Sequence, residues 1–127
     1  MEIRVFDTKL ELGQAAAQRA AAAIGEAVAR SGEARVIAAT GASQFEFLDE
    51  LTATPGIDWG RVEMFHLDEY VGIPESHPAS FRRYLRERIV ERVHPRAFHF
   101  LAGDAADPAA ECRRVGALVA RAPVDVS

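Results

Sequence analysis

Hydrophobic and polar positions switch between two periods along this chain. Ile3 and Val5 alternate with polar neighbours and predict a short first strand. Asp7-Thr8 opens a helix, with Glu11 three residues past Thr8 completing a capping box. Leu12, Ala16, Ala20, Ala23, Ile24, Ala27 and Val28 recur near the helical period, and Ser31-Gly32 closes the helix. Arg35-Val36-Ile37-Ala38-Ala39 is a compact apolar run of the kind a buried parallel strand carries. After the small-residue loop Thr40-Gly41-Ala42-Ser43, a helix is expected from Gln44 to Ala53, with Phe45, Leu48 and Leu51 on one side. Pro55-Gly56 turns the chain. Trp59 to Leu67 leads into a third strand, residues 68–77 form a loop, and Pro78 to Val93 is expected as a helix with Pro78 in its first turn. Ala97 to Leu101 reads as a fourth short strand, Pro108 to Arg121 as a helix, and Val124 to Ser127 as the start of a further strand. Strands alternating with helices imply βαβ units, a parallel sheet and an α/β fold. The crossovers are expected to be right-handed. With no internal repeat, low-complexity region or linker, the 127 residues read as one domain.

Composition narrows the function classes. Apolar residues make up 49% of the chain, as in a globular protein rather than a disordered one. A formal net charge of −4 argues against a nucleic-acid binder, which carries a clustered basic face. Arg82, Arg83, Arg86, Arg88 and Arg92 do cluster, but Glu87 and Glu91 interleave with them, and the stretch reads as a solvated helix face with i,i+4 pairs. The lone cysteine, Cys112, excludes an internal disulfide framework and fits a reducing, cytoplasmic setting. Mid-helix, it reads as a buried, inert thiol. Met1 to Asp7 lacks a basic region followed by an apolar one, so a secretory leader is not expected. No apolar run is long enough to span a bilayer, so no membrane partner is expected.

Two segments carry candidate chemistry. The first is Thr40-Gly41-Ala42-Ser43-Gln44, between a strand and a helix. Gly41 can bring backbone close to a ligand, Ser43 offers a hydroxyl, and the free N–H groups of a helix start favour an anion. The same loop also reads as a tight βα turn with Ser43 as helix N-cap, and the two readings are compatible. The second is Asp68, which follows the apolar strand Met64-Phe65-His66-Leu67. A carboxylate there stands where α/β proteins bind small molecules, outside the carboxyl ends of the strands. It reads either as a general base or as a loop-capping carboxylate. If the two preceding strands are parallel neighbours, Ser43 and Asp68 emerge at one sheet edge beside one crevice, an arrangement suited to proton transfer on a small phosphorylated metabolite. Glu69 points the other way in extended geometry and reads as a loop hydrogen-bonding or salt-bridging group. His66 reads as a packed, hydrogen-bonded side chain, and His77 before Pro78 as a loop anchor. His94 and His99 lack metal-ligand spacing, so no metal site is expected.

From Asp68 to Phe81 the chain resembles the D-E-Y-x-G-[LI]-x-x-x-H-P-x-S-[YF] signature of the glucosamine-6-phosphate deaminase (isomerising) family. Thr40-Gly41-Ala42-Ser43 is similar to that family's phosphate loop, T-G-[SG]-[ST]-P. Gly103 with Ala110-Glu111-Cys112-Arg113 is similar to its G-x-A…A-E-C-x-x-[YF] stretch. The resemblance implies a Rossmann-like parallel sheet with flanking helices, a fold shared with ribose-5-phosphate isomerases and 6-phosphogluconolactonases. It also implies conversion of glucosamine 6-phosphate and water to fructose 6-phosphate and ammonia. It makes Asp68 the enolisation base and assigns Gly41, Ala42 and Ser43 to the substrate phosphate. Thr40, Glu69, Tyr70 and His77 are supporting positions, and no cofactor is implied. Gln44 replaces the usual Pro, Ala42 a Gly or Ser, and Phe81 a frequent Tyr. The family's next block, G-x-G-x-[ND]-G-H-[IL]-A-F-N, with its ring-opening His, would begin after Ser127. The chain thus resembles the N-terminal half of the enzyme, residues 1–127 forming a partial domain with the C-terminal part of the family fold missing. Alone it is expected to be inactive or nearly so. A 6-phosphogluconolactonase is the neighbouring alternative, but those proteins usually read D-E-R, then V-P and S-N, and Tyr70 with His77-Pro78 fits the deaminase pattern better. A non-catalytic sugar-phosphate binder is a third reading. An exposed sheet edge makes such a chain prone to self-association as a homo-oligomer.

Overall fold

The computed structural model describes residues 3–127; Met1 and Glu2 lie outside the described residues. Helix α1 (Lys9–Ser31) begins at the expected capping box. The Thr8 hydroxyl accepts from Glu11 N, the Glu11 carboxylate accepts from Thr8 N, and the helix closes at Gly32. Its inward stripe is Gly13, Ala17, Ala20, Ile24 and Ala27, whereas Leu12, expected on that stripe, is 53% exposed. Small residues win the inner face because α2 (Phe45–Ala53) comes very close: a Cβ on Gly13 would lie 2.7 Å from Glu46 Cβ.

Three strands follow the predicted order: β1 (Ala34–Ala38), β2 (Val62–His66) and β3 (Ala97–His99), paired in the order β1-β2-β3 and all parallel. Both β1 and β2 are buried on both faces, which is why they read as apolar runs rather than alternations. On one face Val36, Ala38, Val62 and Met64 pack with Ile24 and Ala27 of α1, Leu48 of α2, and Leu85 and Ile89. The latter two come from a helical stretch built of α3 (Phe81–Leu85), a π-helical turn (Arg86–Val90) and α4 (Glu91–Val93). On the other face Arg35 reaches α5 (Pro108–Val119) and donates to the carbonyls of Leu118, Val119 and Ala122. That buried guanidinium also pairs with Glu63 at 2.9 Å, so the cation caps a helix end and is neutralised within the sheet.

The chain's last residues behave as expected: Val126 bridges to Val36 in parallel, and Ile37 N donates to Val126 O at 2.9 Å. Three expectations fail. The strand over Ile3 and Val5 does not form among the described residues; these side chains are 73% and 89% exposed. The helix expected from Pro78 begins at Phe81, because Ser80 takes the N-cap and its hydroxyl accepts from Arg83 N. Cys112 is exposed rather than buried, since α5 turns it to the solvent side while Val115 faces inward.

Candidate functional site

The carboxyl ends of β1 and β2 lie side by side, with Ala38 in register with His66. Leu67 N donates to Ala38 O at 3.2 Å and carries the pairing one residue further, so Asp68 is the first residue past it. The loops that bear Ser43 and Asp68 therefore leave the same edge of the sheet, as the sequence implied.

The first loop turns at Gly41, whose φ of 104° and ψ of 169° are closed to residues with a Cβ. A short 3-10 turn (Ala42–Gln44) then leads into α2. Ser43 is not the N-cap: that place falls to Gly41 for the turn and to Gln44 for α2, neither with a side-chain cap bond. Ser43 is exposed and its hydroxyl bonds no described residue, while Thr40 is half-buried in the same loop. The loop is braced from α3, where Tyr84 Oη donates to Gly41 O at 3.0 Å and the Tyr84 ring stacks on Phe45. Arg88 lies 3.8 Å over the Phe45 ring. Burial pushes the Tyr84 phenol up, which keeps it a donor to Gly41.

Asp68 is exposed, and no described residue hydrogen-bonds or ion-pairs with its carboxylate. That is not the geometry of a loop-capping group. The capping is done by Glu69, which points the other way, as extended backbone requires. Its side chain is 1% exposed and accepts from Tyr70 N, Ser80 Oγ, Phe81 N and Arg82 N at 2.8–3.0 Å. Burial alone would raise the Glu69 carboxyl; the hydrogen bonds from Phe81 N, Arg82 N, Ser80 and Tyr70 outweigh it and hold the group below the ordinary value. Tyr70 is 52% exposed with its ring 4.8 Å from that of Phe81. His77 anchors the loop: its Nδ1 accepts from Ala79 N, its carbonyl from Ser80 N, and its amide donates to Pro74 O.

His66 is 3% exposed, packed edge-on to Phe100, and its Nδ1 accepts from Leu101 N at 3.3 Å. With Nδ1 accepting, the neutral ring carries its proton on Nε2, which is buried and bonds no described residue. Burial lowers the His66 pKa against the attraction of Glu69 and Asp68.

Of the residues that join this site to the next loop, sequence reasoning misses Arg82 and marks Gly103 and Glu111 only through the resemblance. Arg82, read as part of a solvated helix face, is 6% exposed. Its Nη2 donates to Ile73 O at 3.0 Å, its Nη1 pairs with Asp104 at 2.9 Å, and its Nε faces Glu69 at 3.4 Å. Its neighbour Arg83 does make the expected i,i+4 pair, with Glu87. Gly103, after β3, abuts the Asp68 loop so tightly that a Cβ would meet Tyr70 O at 2.1 Å. Glu111 holds the same segment by accepting from Ala102 N; its salt bridge to Arg114 is the main cause of a pKa lowered to about 2. The available signal was Ser80 placed before Phe81-Arg82, a capped helix start whose free amides attract Glu69.

Two clefts of about 260 and 490 Å³ run along the α3 side, the first lined by Phe45, Pro78 and Tyr84 among others, the second by Glu75, Ser76 and Arg86 among others. Neither is bordered by Ser43 or Asp68, so neither of these clefts is the shared crevice expected from the sequence. Among the described residues no group of three or more His, Cys, Asp or Glu could hold a metal ion. No described helix is long and apolar enough to cross a membrane.

Known proteins resemble the chain over nearly its whole length. The family model for glucosamine-6-phosphate isomerases/6-phosphogluconolactonase matches residues 7–126. A glucosamine-6-phosphate deaminase of Pseudarthrobacter chlorophenolicus is 34% identical over 126 residues, covering 96% of this chain and 47% of the relative. One from an Arthrobacter species is 36% identical over 118 residues, covering 89% and 44%. The structure of a monomeric glucosamine-6-phosphate deaminase superposes with a TM-score of 0.82 at 28% identity, over 94% of this chain and 50% of that one. A 6-phosphogluconolactonase from Shewanella baltica gives 0.80 at 25% identity, over 93% and 50%. The chain spans about half the length of the curated relatives it matches.

Proposed function

This chain belongs to the glucosamine-6-phosphate isomerase/6-phosphogluconolactonase family, and from that premise we propose that it supplies the phosphate loop and the enolisation base of a glucosamine-6-phosphate deaminase site. The observation that carries the reading is the shared carboxyl edge, with a carboxylate on one loop and a hydroxyl on the other that no described residue partners. Ser43 and the backbone of Gly41 and Ala42 hold the sugar phosphate, with Thr40 in support. Asp68 takes the C2 proton of the open-chain amino sugar and returns it to C1, while O1 gains a proton and the amino nitrogen loses one. The resulting C2 imine adds water and releases ammonia, leaving fructose 6-phosphate. A positioned carboxylate contributes about 10²–10⁴-fold to such a transfer. Glu69 and His77 act on the loop rather than on the sugar, and Tyr70 lies beside it. The setting is cytoplasmic amino-sugar metabolism.

The likeness to the Shewanella lactonase supports a second reading, hydrolysis of 6-phosphogluconolactone. Tyr70 and His77-Pro78 favour the deaminase.

Fructose 6-phosphate tests the reading on this chain directly. Saturable binding is expected, with amide shifts at residues 40–45 and 68–72. Ser43→Ala should weaken it about tenfold through loss of a hydrogen bond to a charged group. Solvent deuterium should enter C1 of the bound sugar, and Asp68→Asn should abolish that exchange without weakening binding. Ammonia release by the chain alone is expected at background. Exchange indifferent to Asp68, or lactone hydrolysis without any enolisation, overturns the proposal.

A further inference from the structure

Asp68 has no hydrogen-bonding partner among the described residues, so its place at the sheet edge is inherited from its neighbours. Those neighbours converge on one buried cation. The Arg82 guanidinium meets three points of two different loops: its Nη2 donates to Ile73 O in the loop after β2, its Nη1 pairs with Asp104 in the loop after β3, and its Nε, buried and hydrogen-bonded to no described residue, lies 3.4 Å from the Glu69 carboxylate as an ion pair. Glu69 is adjacent to Asp68, and Ile73 closes the same bend, so a single group holds the segment from both ends. Gly72 N donates to Gly103 O at 2.7 Å, and the missing Cβ of Gly103 lets the second loop lie directly against Tyr70. Arg82 itself has no route to a ligand, being 6% exposed.

We infer that Arg82 is a positioning residue: its buried guanidinium fastens the loop after β2 to the loop after β3 and so fixes where Asp68 projects. The catalytic consequence rests on the function proposed above; the fastening does not. A solvated helix arginine is replaceable by lysine, whereas this one is not. A lysine ammonium is a point charge on a flexible stem and cannot keep the planar fork that reaches Glu69, Ile73 O and Asp104 together.

Hydrogen exchange of the backbone amides, read residue by residue on the full chain, separates the two roles. Arg82→Lys should speed exchange at Tyr70 and Gly72 about tenfold or more through local opening, while Met64 and Phe65 in β2 stay protected as in the wild type. Because Arg82→Lys could unfold the chain, Asp104→Asn serves as the second variant. It removes only the outer arm, whose side chain is 44% exposed, and should speed Gly72 in the same direction by a smaller factor. In the deuterium-exchange assay on fructose 6-phosphate, Arg82→Lys should lower the turnover rate about 10²-fold with the sugar's dissociation constant unchanged, the signature of a displaced reacting group. Unchanged protection at Tyr70 and Gly72 in both variants, or exchange raised equally throughout β2, overturns the inference. A wild-type chain that shows the predicted protection pattern but no Asp68-dependent exchange sinks the proposed function and leaves the fastening in place.

Discussion

Replacing Glu69 by glutamine preserves shape and removes one charge, and the geometry sets the size of the effect. The carboxylate uses both oxygens: Oε1 accepts from Tyr70 N and Phe81 N, and Oε2 from Ser80 Oγ and Arg82 N. A glutamine keeps one oxygen. Whichever end its amide occupies, two donors lose their acceptor and face N–H groups instead. Each buried donor left unpaired costs about 1–3 kcal/mol. Arg82 also loses the neutralising charge beside its Nε, and breaking a buried ion pair costs about 3–5 kcal/mol. These are overlapping descriptions of one network, so about 3–5 kcal/mol is the expected total. A domain of ordinary stability has about 5–15 kcal/mol in all. At about 4 °C per kcal/mol the melting temperature should fall by about 12–20 °C at neutral pH. The pH dependence gives a second reading. The Glu69 pKa in the folded chain lies below its ordinary value of 4.5. Its contribution is therefore complete above pH 4.5 and is lost as pH falls through the folded value. The gap between wild type and Glu69→Gln should narrow over that acid range. Thermal denaturation followed by circular dichroism, from neutral pH downward, measures both. A variant that melts within about 3 °C of wild type at neutral pH, or a gap that stays constant into acid, refutes the account of Glu69 as the loop's organising acceptor.

Three further outcomes are expected. Gly103→Ala places a Cβ 2.1 Å from Tyr70 O, so it should destabilise the chain by about 1–3 kcal/mol in urea denaturation and shift the amide resonances of Asp68 to Gly72; undisturbed resonances would contradict the close approach. His66 is held neutral by burial, with a pKa below its ordinary 6.5, so its stabilisation is complete above pH 6.5 and lost as pH falls through the folded value; His66→Phe should flatten that slope, and parallel slopes in the two proteins would exclude His66 as its source. Arg35→Met removes the buried donor to three carbonyls at the end of α5 and leaves Glu63 to His99, and should lower stability by about 1–3 kcal/mol in urea; a loss well below that would mean that the capping contributes little.

What the sequence determined by itself is local. Apolar runs placed β1 and β2, the Thr8–Glu11 capping box and Gly32 bounded α1, and the order of elements required a parallel sheet. Parallel neighbours with their carboxyl ends together then put the Ser43 and Asp68 loops on one edge, and strand alternation turned Glu69 away from Asp68. These signals are legible because period and capping depend on residues a few positions apart. Only the tertiary structure decided which charges are buried. Arg82 and Arg83 are adjacent and chemically identical, yet one is sealed against Glu69, Ile73 and Asp104 while the other pairs on the surface with Glu87. Ile3 and Val5 alternate with polar neighbours like a strand, yet both side chains are exposed and no described strand includes them, and Cys112 faces water on a helix whose buried side is set by Val115. A polar group is worth burying only when distant loops bring it partners, and a strand exists only when another lies beside it. Both conditions are set by residues far apart in the chain, which is why they emerge with the fold and not with the pattern.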